Sequence, residues 1–176
     1  GYEFVFYRPG DELNWARIEC DVGQFSSLES GLEYFQREFV RDQRLDPQQR
    51  MLFVKDKNGE YVATASLWDG KFLGTLRQRI HWVAVKDKCA GLGIAKAMLS
   101  RLMRLYTELG YDDSTIYLVT GTRNYPAVSI YRKFGFKEYV GPTSLSSKLS
   151  DEQFVEQATT AVSIINDKIA QYKSKK

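Results

Sequence analysis

Residues 80 to 109 hold the pattern that most restricts what this chain can become. Ile80-His81-Trp82-Val83-Ala84-Val85 is an apolar run with little alternation of polarity, as expected of a central strand covered on both faces. It passes through Lys86-Asp87-Lys88-Cys89-Ala90-Gly91-Leu92-Gly93 into a helix marked by Ile94, Met98, Leu102, Leu105 and Leu109, which Gly110 closes as a cap. Gly91 and Gly93 allow backbone conformations and close approach that side chains would block. The first-turn N–H groups of the helix would point into that turn and favour an anion such as pyrophosphate. Lys86 and Lys88 add positive charge nearby. Tight packing without a ligand is the competing reading of the same glycines.

The remaining elements alternate around this unit. Residues 2 to 7 read as a strand stopped by Arg8-Pro9-Gly10, and Asp11 caps a short helix. Ser26 with Glu29 is a capping-box pattern for a second helix, whose Leu28, Leu32, Phe35 and Phe39 continue to about Val40. Residues 51 to 55 and 61 to 68 flank Asn58-Gly59, a hairpin signal. Residues 115 to 120 form a further strand, a short helix runs through Tyr131, and a last strand is expected near Phe136 to Val140. The order is mixed α/β. Gly141-Pro142, with Ser144, Ser146 and Ser147 after it, marks the end of the core. Phe154, Ala158, Ala161, Ile165, Ile169 and Tyr172 then make one helical stripe that Ser150 and Gln153 can cap. That helix either packs on its own domain or docks on a second subunit.

Composition excludes several classes. With 176 residues, 43% hydrophobic and 27% charged, the chain can bury a sizeable core, and disorder is ruled out as its main description. No stretch approaches the roughly 20 apolar residues of a membrane span, and residues 1 to 4 carry no basic segment leading into an apolar one, so a soluble, cytoplasmic protein is expected. Cys20, Cys89 and the single His81 have no metal-ligand spacing, so no metal is expected. Residues 1 to 60 hold 12 acids and 8 bases, whereas residues 61 to 140 hold 6 acids and 12 bases. This basic middle suits an anionic ligand, phosphorylated small molecule or nucleic acid. No interleaved basic and aromatic motif supports nucleic acid, which is therefore disfavoured.

Two phosphate motifs fail on the letters. Gly93 is followed by Ile94-Ala95 and not by the Lys-Ser/Thr of a Walker loop, and Lys96 stands where a Rossmann fingerprint needs its third small residue. Ala90-Gly91-Leu92-Gly93-Ile94-Ala95 instead resembles the Q/R-x-x-G-x-G/A turn of the GNAT superfamily of N-acetyltransferases. Asn124-Tyr125-Pro126-Ala127-Val128-Ser129-Ile130-Tyr131-Arg132-Lys133-Phe134-Gly135-Phe136 resembles the family's second motif, at fitting distance from the first. The resemblance covers residues 2 to about 140. Ala90 departs from it, because the family usually has Gln or Arg there. A register beginning at Lys88 would restore a basic residue, but the strand-to-turn spacing favours the first.

The resemblance implies a GNAT-like, mostly antiparallel central sheet flanked by helices (α/β, or α+β), over residues 1–142, with a linker and appended C-terminal helix in 143–176. It implies acetyl transfer from acetyl-coenzyme A to a small-molecule or protein amine, by direct attack on the thioester. Backbone groups at Val83, Ala84 and Val85 should pair with the pantetheine arm, and an amide there should polarise the carbonyl. Ala90, Gly91, Leu92, Gly93, Ile94 and Ala95 should hold the pyrophosphate. Asn124 should touch the cofactor or a water, unless it only forms an Asx turn. Tyr131 matches the tyrosine that protonates the departing thiolate. An attacking amine must be neutral, and His81 has the side chain whose unperturbed pKa suits a base near neutrality; a buried histidine bonded to backbone is the competing reading. Asp69 and Glu60 are weaker base candidates, and Trp68 and Phe72 could wall an acceptor pocket. The acidic Glu29, Glu33 and Glu38 could attract a cationic amine or simply face solvent. A homodimer through the C-terminal helix, and a non-catalytic acyl-coenzyme A sensor or subunit, are the alternatives carried forward.

Overall fold

The computed structural model describes residues 1–41, 44–71, 74–111, 115–142 and 148–174. The chain divides into two compact units, Gly1–Trp68 with Arg79–Ser114, and Asp69–Gln78 with Thr115–Lys176.

In the first unit, strand β1 (Glu3–Phe6) is followed by helices α1 (Glu12–Asp21) and α2 (Leu28–Phe35), the latter widening into a π-helical turn over Gln36–Val40. Short helix α3 (Pro47–Arg50) leads into β2 (Met51–Lys55), β3 (Tyr61–Gly70) and β4 (Arg77–Val85), of which residues 69–70 and 77–78 count with the second unit, and a 3-10 turn (Asp87–Cys89) precedes α4 (Ile94–Glu108). β1 pairs antiparallel with β2, and β2 with β3, in strand order β1-β2-β3-β4. Met51 to Val54 and Val62 to Trp68 are buried without alternation, so the strand covered on both faces is β3. β4 is only partly covered, because Gln78, Ile80 and Ala84 are buried and its other residues are half-buried.

The core explains why these helices stay. Trp15 of α1 is fully buried among the rings of Phe25, Phe35, Phe39 and Trp82, with centroids 5.3 to 5.8 Å away. Such offset and edge-on aromatic contacts add to the area they bury. Gly31 lets α1 and α2 approach, since a Cβ there would lie 3.1 Å from that of Ala16. The cap of α2 is Ser27, which accepts from the Ser30 N–H, one residue later than the Ser26 pattern. Met98, Leu99, Leu102 and Leu105 form the buried stripe of α4, and Gly110, at φ 78°, ends it.

The second unit holds the two-residue strand β5 (Tyr117–Leu118), a 3-10 turn (Thr122–Asn124), α5 (Tyr125–Lys133) and α6 (Asp151–Ser174). Val128 of α5 packs on Ile165 and Ile169 of α6, with Tyr125 against them. Arg132 binds Asn166 at 2.7 Å. The α6 capping box is reciprocal: the Ser150 N–H donates to Gln153 Oε1, and the Gln153 N–H to Ser150 Oγ. Residues 136 to 140 form no strand, contrary to the expectation; the Phe136 N–H instead closes the end of α5 on the Tyr131 carbonyl, and residues 137 to 140 are exposed. Of the sequence signals above, Phe72, Ser144, Ser146 and Ser147 lie outside the described residues.

Candidate active site

Between β4 and α4 the chain forms an open, glycine-lined turn. Gly91 and Gly93 have φ of 79° and 81°, a left-handed backbone that favours glycine, and none of the described residues lies within 4 Å of where their Cβ atoms would be. They serve the turn's shape and leave the space before it free. Gly93 is the N-cap of the 15-residue α4 and offers no side-chain acceptor; the first helical bond runs from the Ala97 N–H to the Gly93 carbonyl. Preceding first-turn N–H groups therefore face outward with the positive end of the helix dipole. Ala90, Gly91, Leu92 and Gly93 are exposed, while Ile94 is buried and anchors the helix. This arrangement fits a pyrophosphate held by backbone.

The expected side-chain charge is largely cancelled. Lys86 and Lys88 both bind the Glu60 carboxylate, at 3.0 and 2.5 Å, and Asp87 lies between them. The hydrogen bonds from Lys88 and then Lys86 hold the Glu60 carboxyl below its usual range, which unsuits it as a base. Attraction for an anion at this turn thus rests on amides more than on those lysines.

Upstream on β4, Trp82 has φ 49°, left-handed for a bulky residue and a mark of local strain. The kink breaks strict alternation. His81 meets Glu38 and Phe39, and its neighbour Trp82 meets Trp15, Phe25 and Tyr34, so two successive side chains turn toward the helices. Ser66 Oγ donates to the His81 carbonyl at 2.9 Å and secures the backbone beside the kink. Irregularities of this kind re-aim side chains and are common next to active sites.

His81 is not a lone core imidazole. Its Nε2 lies 2.9 Å from Glu38 Oε1, and Arg79 binds the same carboxylate oxygen. The side chains retain 17% and 23% exposure for His81 and Glu38. Burial pushes the His81 pKa down, with the Arg79 charge adding to it against the pull of Glu38. The Glu38 carboxyl is held below its usual range, first by the hydrogen bond with His81, and despite burial. A cavity of about 340 Å³ is lined by Tyr7, Phe39, Val40, Leu45, Asp46, Pro47 and Gln48, and Phe39 is also the ring beside His81. Trp68 is buried against Phe39 as core, and Asp69 is buried.

In the second unit, Asn124 is exposed, binds Thr120 Oγ1 through Nδ2 at 3.3 Å, and makes no side-chain cap to α5. Tyr131 is 8% exposed, and burial pushes its phenol up to about 12. A full proton transfer from such a phenol to a thiolate, whose acid has a pKa near 8.5, is uphill by about 5 kcal/mol. Tyr131 can therefore serve a departing sulfur only if its own proton is replaced in step.

The model of the acetyltransferase (GNAT) family matches residues 13–136, and the chain belongs to that family. It is 35% identical over 94 residues to an N-alpha-acetyltransferase of Sulfurisphaera tokodaii, covering 49% of this chain and 56% of the relative. The chain thus spans about half the length of the curated relatives it matches. Among solved structures, a GNAT-family acetyltransferase of Staphylococcus aureus Mu50 is similar with TM-score 0.60 at 16% identity, over 79% of this chain and 85% of that one. A chain of the NatC complex bound to Gag peptide and CoA is similar with TM-score 0.56 at 18% identity, over 78% and 86%. These two likenesses concern the fold.

The sequence reading missed Arg79 and gave Glu38 no part beside His81. A signal for each existed: Arg79 is two residues before His81 on a strand, and Glu38 is one helical turn after Tyr34, at the flank of the Phe35 and Phe39 stripe.

Proposed function

We propose that this chain transfers the acetyl group of acetyl-coenzyme A to a primary amine, without an acyl-enzyme. The observation that supports it most is the open left-handed turn at Gly91 and Gly93 on an uncapped helix N-terminus. Acetyl-coenzyme A supplies the activated acetyl group. Amides from Ala90 to Ala95 hold its pyrophosphate, and backbone groups of Val83, Ala84 and Val85 take the pantetheine arm and polarise the carbonyl. Asn124 adds a polar contact to the cofactor or a water. His81 takes one proton from the acceptor ammonium and releases it to solvent. Tyr131 passes a second proton onto the sulfur as the amine nitrogen sheds it, so the phenol is refilled and the uphill transfer is avoided.

The archaeal relatives are named for α-amines, so peptide α-amines are the first acceptors to try, with small amines second. The Phe39-lined cavity is assigned to the acceptor's apolar part. We assign the catalytic domain to residues 1–142 and the cytoplasm as its compartment, and carry dimerisation through α6 as a proposal for sedimentation to test.

Calorimetric titration with acetyl-coenzyme A, followed by a thiol-release screen over peptides and small amines, tests the reading. Saturable binding near one equivalent with acceptor-dependent release is expected. Binding without release from any amine would favour the non-catalytic sensor. No binding by folded protein would remove the cradle and the reading with it.

A further inference from the structure

The group around His81 makes a statement about proton placement that goes beyond naming a base. An ionised carboxylate only accepts hydrogen bonds, so the 2.9 Å contact requires the proton on Nε2 of His81. The neutral ring then carries its lone pair on Nδ1. An unaccompanied carboxylate at that distance would also favour the imidazolium, a base already spent. Arg79 on β4 counters this by binding the same Glu38 oxygen. Among the described residues, the charged groups that act on His81 are Glu38, from the π-helical turn after α2, and Arg79; the rings of Phe39 and Trp82 flank it at 6.1 and 5.6 Å. Tyr34 of α2 senses the same Glu38 and Arg79 charges, and Arg37 lies over the Tyr34 ring.

Resting on the acetyl-transfer reading, we infer that Glu38 and Arg79 are positioning residues that hold His81 neutral in its Nε2–H form, so that Nδ1 receives the proton of the acceptor ammonium. Glu38 fixes tautomer and ring orientation, as the outer partner of a functional histidine does elsewhere. Arg79 spends the carboxylate's charge so that the ring stays unprotonated between turnovers. Nδ1 takes the ammonium proton first, the neutral amine then attacks the acetyl carbon, and solvent removes the proton from the ring afterwards. The plainer account is an ion pair that staples α2 to β4.

Because His81 is the chain's single histidine, the tag-free protein gives one imidazole signal pair in a long-range 1H–15N spectrum. The wild type, Glu38→Gln, Arg79→Gln and Arg79→Lys are compared there against pH, with circular dichroism for folding, calorimetry for acetyl-coenzyme A, and the pH profile of kcat/KM. The wild type should show an unprotonated Nδ1 at pH 7. Arg79→Gln should raise the His81 titration midpoint, Glu38→Gln should lower it and admit the other tautomer, and Arg79→Lys should stay near wild type. The acid limb of kcat/KM should move the same way, with about a tenfold loss at the optimum for Glu38→Gln and unchanged cofactor affinity. A staple would cost folding without opposite shifts. An Nδ1–H wild type, variants moving in the same direction, or an acid limb indifferent to His81 each overturns the inference. Failure of the acetyl-transfer reading is separate, since it appears as no thiol release from wild type while the tautomer is still read.

Discussion

Glu19, on the buried side of α1, gives the prediction whose size follows most directly from the structure. Glu19 is 1% exposed, its Oε1 has no hydrogen-bond partner among the described residues, and burial raises its pKa from 4.5 to about 8. The folded state then binds a proton more tightly than the unfolded chain. Between pH 4.5 and 8 the folded protein holds more protons, so stability falls as pH rises through that window and levels off above it. The shift corresponds to about 5 kcal/mol lost in full above pH 8, and about 3 kcal/mol at pH 7. Against a usual total of about 5 to 15 kcal/mol, one side chain would set the alkaline limit of this fold. Glu19→Gln keeps the shape and removes the ionisation. Trp15, Trp68 and Trp82 all lie in the first unit with Glu19, so urea denaturation followed by tryptophan fluorescence reports the right body. The variant should match wild type at pH 5 to within about 1 kcal/mol, since an unpaired amide replaces an unpaired acid. It should exceed wild type by about 5 kcal/mol at pH 9. A stability difference that stays flat from pH 5 to 9 would refute the reasoning, because burial could not then be suppressing the charge.

Three further outcomes follow from the candidate site. Gly93→Ala should fold with a loss of about 1 to 2 kcal/mol from its left-handed backbone, and calorimetry should show acetyl-coenzyme A affinity down about tenfold or more, at 1.4 kcal/mol per decade; an unchanged Kd counts against the cradle. Tyr131→Phe should lower kcat with cofactor affinity nearly unchanged, and full turnover would remove its proton role. Cys89→Ala should remain active, because Cys89 is a free, buried thiol beside Tyr2; loss of activity with intact cofactor binding would point to an acyl-cysteine route.

What could be read from the letters divides along a physical line. Features set by neighbours in sequence were legible: the Met98, Leu102 and Leu105 stripe of α4, the Ser150 and Gln153 capping box, and the left-handed glycines at 91 and 93. Features set by distant residues were not. Glu60 reaches Lys86 and Lys88 across the strands and cancels a charge that a count along the chain records as basic. Glu38 meets His81 over 43 positions: its place at the flank of the Phe35 and Phe39 stripe could be read, but its pairing with His81 could not. Phe136 to Val140 has strand-forming letters, but the Phe136 N–H closes the end of α5. Trp82 gives no sign in its own residue type of a positive φ, since only packing against Trp15, Phe25 and Tyr34 can hold so large a side chain there. That kink and the carboxylate beside it meet at the same histidine, one through backbone direction and the other, in the inference above, through proton placement. A backbone cradle for phosphate needs only local conformation and so announces itself in a short motif. The base proposed at His81 needs burial and a carboxylate brought from another element beside a counter-charge on its own strand, and therefore emerges only when the chain is folded.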